Sequence, residues 1–94
     1  MKLIAMTVIA SIGLTAANLA NAQEALAKSS GCLNCHAVDT KKMGPAFKET
    51  ATKYKGKADA EATLVAKISS GKGHPAVKAS ADDVKALVKW VLSL

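Results

Sequence analysis

Cys32, Cys35 and His36 form the most chemically specific stretch of the sequence, Cys32-Leu33-Asn34-Cys35-His36. The two thiols are three residues apart, so a single helical turn would bring them to the same side. The pattern Cys-x-x-Cys-His is typical of the attachment of c-type haem. In that chemistry the thiols add to the two vinyl groups as thioethers, and the imidazole becomes the proximal iron ligand. We therefore expect one haem c, held covalently through Cys32 and Cys35, with His36 bound to the iron.

Two other uses of paired cysteines have to be weighed against haem attachment. A zinc site needs four ligands, and the sequence offers two cysteines with His36 and His74, at spacings that fit no common finger pattern. A redox-active Cys-x-x-Cys normally belongs to a βαβ unit, and no segment here has the pattern of a strand. Haem attachment is favoured, and an exported thiol oxidoreductase remains the alternative.

The first 22 residues have the pattern of a secretory signal peptide. Lys2 precedes a mostly apolar run over residues 3–17, and Ala20-Asn21-Ala22 is a cleavage site of the A-x-A type. Polar residues interrupt the run, which is short for a membrane span. We expect residues 1–22 to be removed and residues 23–94 to form one periplasmic domain, with no stable membrane anchor after signal removal.

The charge of the chain is strongly positive and comes from lysine alone. The formal net charge is +6, and the sequence contains no arginine. Nucleic-acid binding is disfavoured, because arginine forks and interleaved aromatic side chains normally carry it. The lysines serve either to keep a small domain soluble or to steer it toward an acidic protein partner.

The remaining sequence predicts an all-α protein. Helical patterns cover residues 23–30, 47–54, about 60–69 and the segment from residue 81 onward, with breaks at Gly44-Pro45 and at residues 71–75. Asp59 and Ser80 are the expected N-caps of the last two helices. A domain of this size with one Phe, one Tyr and one Trp has few large side chains for a core, so a haem would supply missing bulk.

The chain resembles the short bacterial class I cytochromes c over essentially all of residues 23–94. The resemblance rests on residues 32–37, 44–47 and 89–92. It implies about four short helices around one covalently attached haem, with the first and last helices packed across each other. It also implies a monomer that is not an enzyme and that transfers single electrons between redox partners in transient complexes. By the same analogy, the carbonyl of Pro45 accepts the Nδ1 proton of His36 and so orients the ring.

One position departs from the pattern of this family. These cytochromes present a methionine, flanked by prolines, shortly before the last helix, whereas this chain has His74-Pro75 there. Met43 is the only methionine after the signal, and the resemblance places it on the proximal side. We therefore expect His74 as the distal iron ligand, with His/His ligation and a low potential.

The resemblance leaves a second function open and suggests where a partner would dock. If His74 were labile, the protein would instead bind or sense a diatomic gas. For the electron carrier, docking would use a small interface at the exposed haem edge. Its candidate contacts for an acidic partner are Lys28, Lys41, Lys42, Lys72 and Lys78.

Overall fold

Four α-helices and one short 3₁₀ helix account for the regular structure of residues 16–94, the part of the chain that the computed structural model describes. Within these residues there is no strand, and the predicted all-α class is confirmed. The α-helices are α1 (Ala16–Ser29), α2 (Phe47–Tyr54), α3 (Ala60–Ser70) and α4 (Ala81–Leu92), and the 3₁₀ helix covers Cys32–Asn34. Most of the predicted signal peptide, residues 1–15, lies outside the described residues.

Helix α1 begins earlier than the sequence pattern predicted. Ala16, the first described residue, is already helical, whereas the pattern placed the start at residue 23, and the helix runs unbroken through the expected cleavage site. Residues 16–22 include four alanines, the strongest helix former, so the helix continues into them while they remain attached. At its other end, Gly31 has φ of 84°, a left-handed conformation that suits glycine. This residue turns the chain from α1 into the 3₁₀ helix that carries Cys32.

The N-terminus of α3 differs from the prediction in one detail. Asp59 is the N-cap residue, but its side chain makes no capping hydrogen bond. Its φ and ψ are −95° and 5°, outside the extended region in which an N-cap side chain reaches back over the first turn. Asp59 contributes only through its backbone, since its carbonyl accepts the first helical hydrogen bond from the Thr63 amide at 3.0 Å.

Helix α4 has the N-cap that the sequence predicted. Ser80 is extended, and its Oγ accepts a hydrogen bond from the Asp83 amide at 3.1 Å. Asp82 and Asp83 lie in the first turn, where negative charge is favourable to the helix dipole. The helix is therefore fixed at its start, and this sets which side chains it turns inward.

Replacement of Ser80 by alanine should lower the free energy of unfolding by about 1 kcal/mol, because the Asp83 amide loses its acceptor. Denaturant unfolding of the holoprotein measures the change. Ser69→Ala is the matched control, since Ser69 is exposed inside α3 and alanine is the better helix former there. Equal stability of the two variants would show that the cap contributes nothing.

Helix α4 is shared by the two apolar clusters of the described residues. In the first cluster, Leu87 and Trp90 of α4 pack with Ala27 of α1 and Phe47 of α2. In the second cluster, the buried residues are Leu64 of α3 and Val84 and Val88 of α4. The first and last helices thus meet, as the resemblance implied. No helix among residues 16–94 combines the length and the apolar character needed to cross a membrane.

Candidate haem site

A cavity of about 900 Å³ lies between the two clusters and is the setting of the candidate site. Its volume is in the range of pockets that enclose a cofactor or a drug-sized ligand, about 300–1,000 Å³. Every residue predicted for the site lines this one cavity: Cys32, Cys35, His36, Pro45 and His74. The fold therefore brings together groups from two connecting segments, residues 30–46 and 71–80, around a space that a haem would fit.

The two thiols are presented by the 3₁₀ helix at the wall of the cavity. Both cysteines are half-buried and free, with no disulfide between them. The amide of His36 donates to the Cys32 carbonyl at 3.0 Å, and this bond closes the turn that links the thiols to the imidazole. Two free thiols beside an imidazole in a large cavity suit the formation of two thioethers to one haem.

The environment of Cys32 argues against a redox-active dithiol. Burial raises the pKa of the Cys32 thiol, and a backbone hydrogen bond offsets this only in part. In thiol oxidoreductases the attacking cysteine has a lowered pKa, because the thiolate is the nucleophile. A thiol held neutral by burial is poorly suited to that role. Within the described residues there is also no cluster of three or more Cys, His, Asp or Glu side chains that would suit a bare metal ion.

The ring of His36 is oriented by its neighbours on the proximal side. Its Nδ1 lies 2.7 Å from the carbonyl oxygen of Pro45, the contact that the resemblance implied. A carbonyl oxygen can only accept, so Nδ1 is the donor, and in the neutral ring the lone pair is then on Nε2. The ring of Phe47 lies at a centroid distance of 5.1 Å with an interplanar angle of 23°. These contacts leave Nε2 of His36 as the nitrogen available to a metal.

Gly44 also shapes the position of His36, and the sequence reasoning missed this role. A Cβ atom placed on Gly44 would overlap the imidazole, at 2.7 Å from Nδ1 and 2.8 Å from Nε2. The Gly44 amide donates to the Cys35 carbonyl at 2.8 Å, which holds the glycine backbone against the ring. The sequence signal for Gly44 is its position directly before Pro45, which predicts a chain break and belongs to the resemblance over residues 44–47 but does not indicate contact with His36.

His74 faces His36 from the loop between α3 and α4. The two ring centroids are 6.1 Å apart, and the ring planes differ by only 4°. Nδ1 of His74 lies 2.7 Å from the carbonyl oxygen of Pro75, so the His74 ring also donates through its Nδ1. Neither Nε2 atom forms a hydrogen bond within the described residues.

The charged and methionine residues singled out from the sequence are only partly at this cavity. Lys28 and Lys78 line it, together with Lys53 and Lys67, which the sequence reasoning did not select. Lys41, Lys42 and Lys72 do not line it, and the Lys42 ammonium donates to the Leu33 carbonyl at 3.2 Å. Met43 lies at the cavity edge with its side chain in solvent, since the residue is 86% exposed.

An all-α domain that presents Cys-x-x-Cys-His to a cavity of this size is a protein built for covalent haem. Comparison with known proteins identifies its family. The family model for cytochrome c matches residues 19–94. Cytochrome c-551 of Pseudomonas aeruginosa is 44% identical over 77 positions, covering 74% of both chains. Cytochrome c-552 of Nitrosomonas europaea is 39% identical over 102 aligned positions, covering 100% of this chain and 99% of the other.

Solved structures give the same result. The class 1 cytochrome MtoD of Sideroxydans lithotrophicus superposes with a TM-score of 0.71 at 41% identity, over 78% of this chain and 92% of that one. Wild-type cytochrome c552 of Nitrosomonas europaea gives a TM-score of 0.67 at 41% identity, over 76% and 98%. The chain belongs to the class I cytochrome c family. It is a monohaem electron-transfer cytochrome with one haem c attached through Cys32 and Cys35.

Proposed function

We propose that the protein carries single electrons between redox partners at low potential, with His36 and His74 as the two axial ligands of its haem. The observation that carries the proposal is the pairing of the two imidazoles across one cavity, parallel and 6.1 Å apart.

The rings of His36 and His74 lie near each other on the wall of the same cavity. The centroids of His36 and His74 are 6.1 Å apart. His36 and His74 would be the two side chains that hold the iron, and the haem would supply the electron-transfer chemistry.

The tautomers of both rings support the same ligand set. Each Nδ1 lies near the carbonyl oxygen of a proline, Pro45 for His36 and Pro75 for His74, so each neutral ring would offer its Nε2 to the iron. Hydrogen bonds of this kind orient a ligating imidazole and raise its basicity. Neutral imidazole is also the commonest side-chain ligand of metals.

This ligand set determines the function that we propose. The haem supplies reversible one-electron chemistry, with its potential set by the axial ligands and their surroundings. His36 and His74 would occupy both axial positions and leave no position for a substrate, which suits a carrier and not an enzyme. Methionine as an axial ligand raises the potential, so histidine in its place favours a lower one.

A redox titration beside a carbon monoxide titration tests the proposal. The potential should lie below that of His/Met relatives measured under the same conditions, such as cytochrome c-551 of Pseudomonas aeruginosa once its own ligation is verified by spectroscopy. Carbon monoxide should bind the ferrous protein slowly or not at all, because His74 would have to leave first. A potential equal to that of a His/Met protein would contradict His/His ligation.

The loop that carries His74 favours one alternative function. This loop has no helix between Ser70 and Ala81. Gly71 and Gly73 lie just before His74, with φ of 69° and 75°. If this loop releases His74 readily, the protein binds or senses a diatomic gas. Rapid and complete formation of the carbon monoxide complex would select this alternative over electron transfer.

The site of action and the partners complete the proposal. Residues 1–22 are proposed to direct export and to be removed, so that the carrier acts in the periplasm as a monomer. Its excess of lysine favours brief complexes with acidic redox proteins. Lys28 and Lys78, which line the cavity, are the members of the predicted contact set best placed for such a complex.

A further inference from the structure

A cluster of lysines projects from the C-terminal end of α2. We call this segment, Lys53-Tyr54-Lys55-Gly56-Lys57, the basic turn. Its three lysines are exposed, whereas Tyr54 is half-buried. A Cβ atom placed on Gly56 would meet no other atom within 4 Å, so the tip of the turn stands clear of the rest of the described chain. The turn is therefore open to a partner.

The positive charge of the basic turn is not neutralised locally. The ion pairs among the described residues are Lys48 with Asp39 and Lys89 with Glu61, and none involves the basic turn. Glu49 and Asp59 are its nearest acids in sequence, and neither pairs with it. The three ammonium groups are thus available to an external anionic group.

Two of these ammonium groups are held over one aromatic ring. Nζ of Lys53 lies 5.7 Å from the centroid of Tyr54, and Nζ of Lys57 lies 5.3 Å from it. Contacts of a cation with a ring face at such distances are attractive. They hold the two ammonium groups at a defined place. The two lysine side chains therefore lose less conformational entropy when a partner binds them.

The basic turn also reaches the haem cavity. Tyr54 and Lys53 both line the cavity, and Tyr54 packs against the cluster that contains Leu64. One side of Tyr54 therefore borders the space for the cofactor, while the lysines around it face solvent. Among the lysines of the cavity wall, Lys53 is the one whose neighbours extend the positive charge outward along the surface.

We propose that an acidic redox protein docks on the basic turn and exchanges its electron with the haem past the edge of Tyr54. This inference rests on the proposed function as an electron carrier and assigns its docking surface. One electron passes from the ferrous haem to the oxidised partner, no bond forms or breaks, and Tyr54 itself keeps its oxidation state. Three lysines fall short of the clusters of about four to eight basic residues typical of binding to anionic membranes, which favours a protein partner.

Oxidation of the ferrous holoprotein by hexacyanoferrate(III), a trivalent anion, tests the docking surface. In that reaction the haem iron loses one electron and hexacyanoferrate(III) becomes hexacyanoferrate(II). At low ionic strength the double variant Lys53→Gln, Lys57→Gln should react about 3- to 10-fold more slowly than wild type, because the anion loses its local attraction. Raising the salt to about 1 M should remove most of the difference.

A matched pair of variants separates local docking from overall charge. Lys85→Gln, Lys89→Gln removes the same charge from exposed lysines outside the cavity and should slow the reaction much less. Lys53→Arg, Lys57→Arg keeps the charge and should retain the wild-type rate. Equal slowing by the two glutamine variants would overturn the proposal.

Binding of wild type to phosphatidylserine vesicles that disappears in Lys53→Gln, Lys57→Gln would overturn it in favour of a membrane. A wild-type protein that hexacyanoferrate(III) fails to oxidise would instead contradict the electron-carrier function itself.

Discussion

Ferric His74→Ala should lose the low-spin spectrum of the wild type almost completely and become high-spin. In the proposed site the iron is bound by His36 and His74, whose rings face each other at 6.1 Å. Alanine removes one of these strong ligands, and water or an open position replaces it. The ferrous variant should then bind carbon monoxide rapidly, since no side chain has to leave first. Electron paramagnetic resonance and visible spectra measure both effects.

His74→Met is the matched control for loss of the ligand. Methionine keeps a side chain that can bind iron, so the ferric protein should remain low-spin. Its potential should rise by an amount on the order of 0.1–0.2 V, part of the range of about 0.8 V that axial ligands span in haem proteins. A His74→Ala protein that stays low-spin with an unchanged spectrum would show that His74 is not the ligand.

Gly44→Ala is expected to have the second largest effect, through the proximal histidine. The new Cβ would lie 2.7 Å from Nδ1 and 2.8 Å from Nε2 of His36, closer than real side chains approach. The ring or the loop must move, and the hydrogen bond to Pro45 weakens in either case. Overpacking of this kind costs about 1–3 kcal/mol. We expect the free energy of unfolding to fall by that amount and the haem spectrum to change.

A second glycine provides the control for Gly44→Ala. At Gly56 a Cβ would meet nothing within 4 Å, although φ is +79°. Gly56→Ala should therefore cost about 1–2 kcal/mol through backbone strain alone and leave the haem spectrum unchanged. If Gly44→Ala had the stability and spectrum of the wild type, the overlap with His36 would be relieved without consequence, contrary to our expectation.

The features that could be predicted from the sequence are those with local causes. The bounds of α2 and the start of α4 follow from Gly44-Pro45 and from the cap at Ser80, each of which acts within a few residues. The thiols and His36 belong to one short motif. The placement of His74 was anticipated through a family resemblance, because loop residues far apart in sequence carry no periodic signal of their own.

Other features depended on backbone angles or on packing between distant segments. Asp59 occupies the expected cap position, but its own φ and ψ keep the side chain from capping. The contact of Gly44 with the His36 ring requires two parts of the loop to meet. Because glycine has no side chain, no pattern in the sequence predicts this contact. Lys53 and Lys67 reach the cavity only because α2 and α3 form parts of its wall.

The position of α4 in both apolar clusters affects how stable the chain is before haem is attached. Leu87 belongs to one cluster and Val88 to the other, and both also line the cavity. Without a haem in the cavity, these side chains would lose the packing partner that the cavity is shaped to hold. A chain without haem opens more often and is cut more readily by proteases. We therefore expect haem attachment to protect the chain from proteolysis.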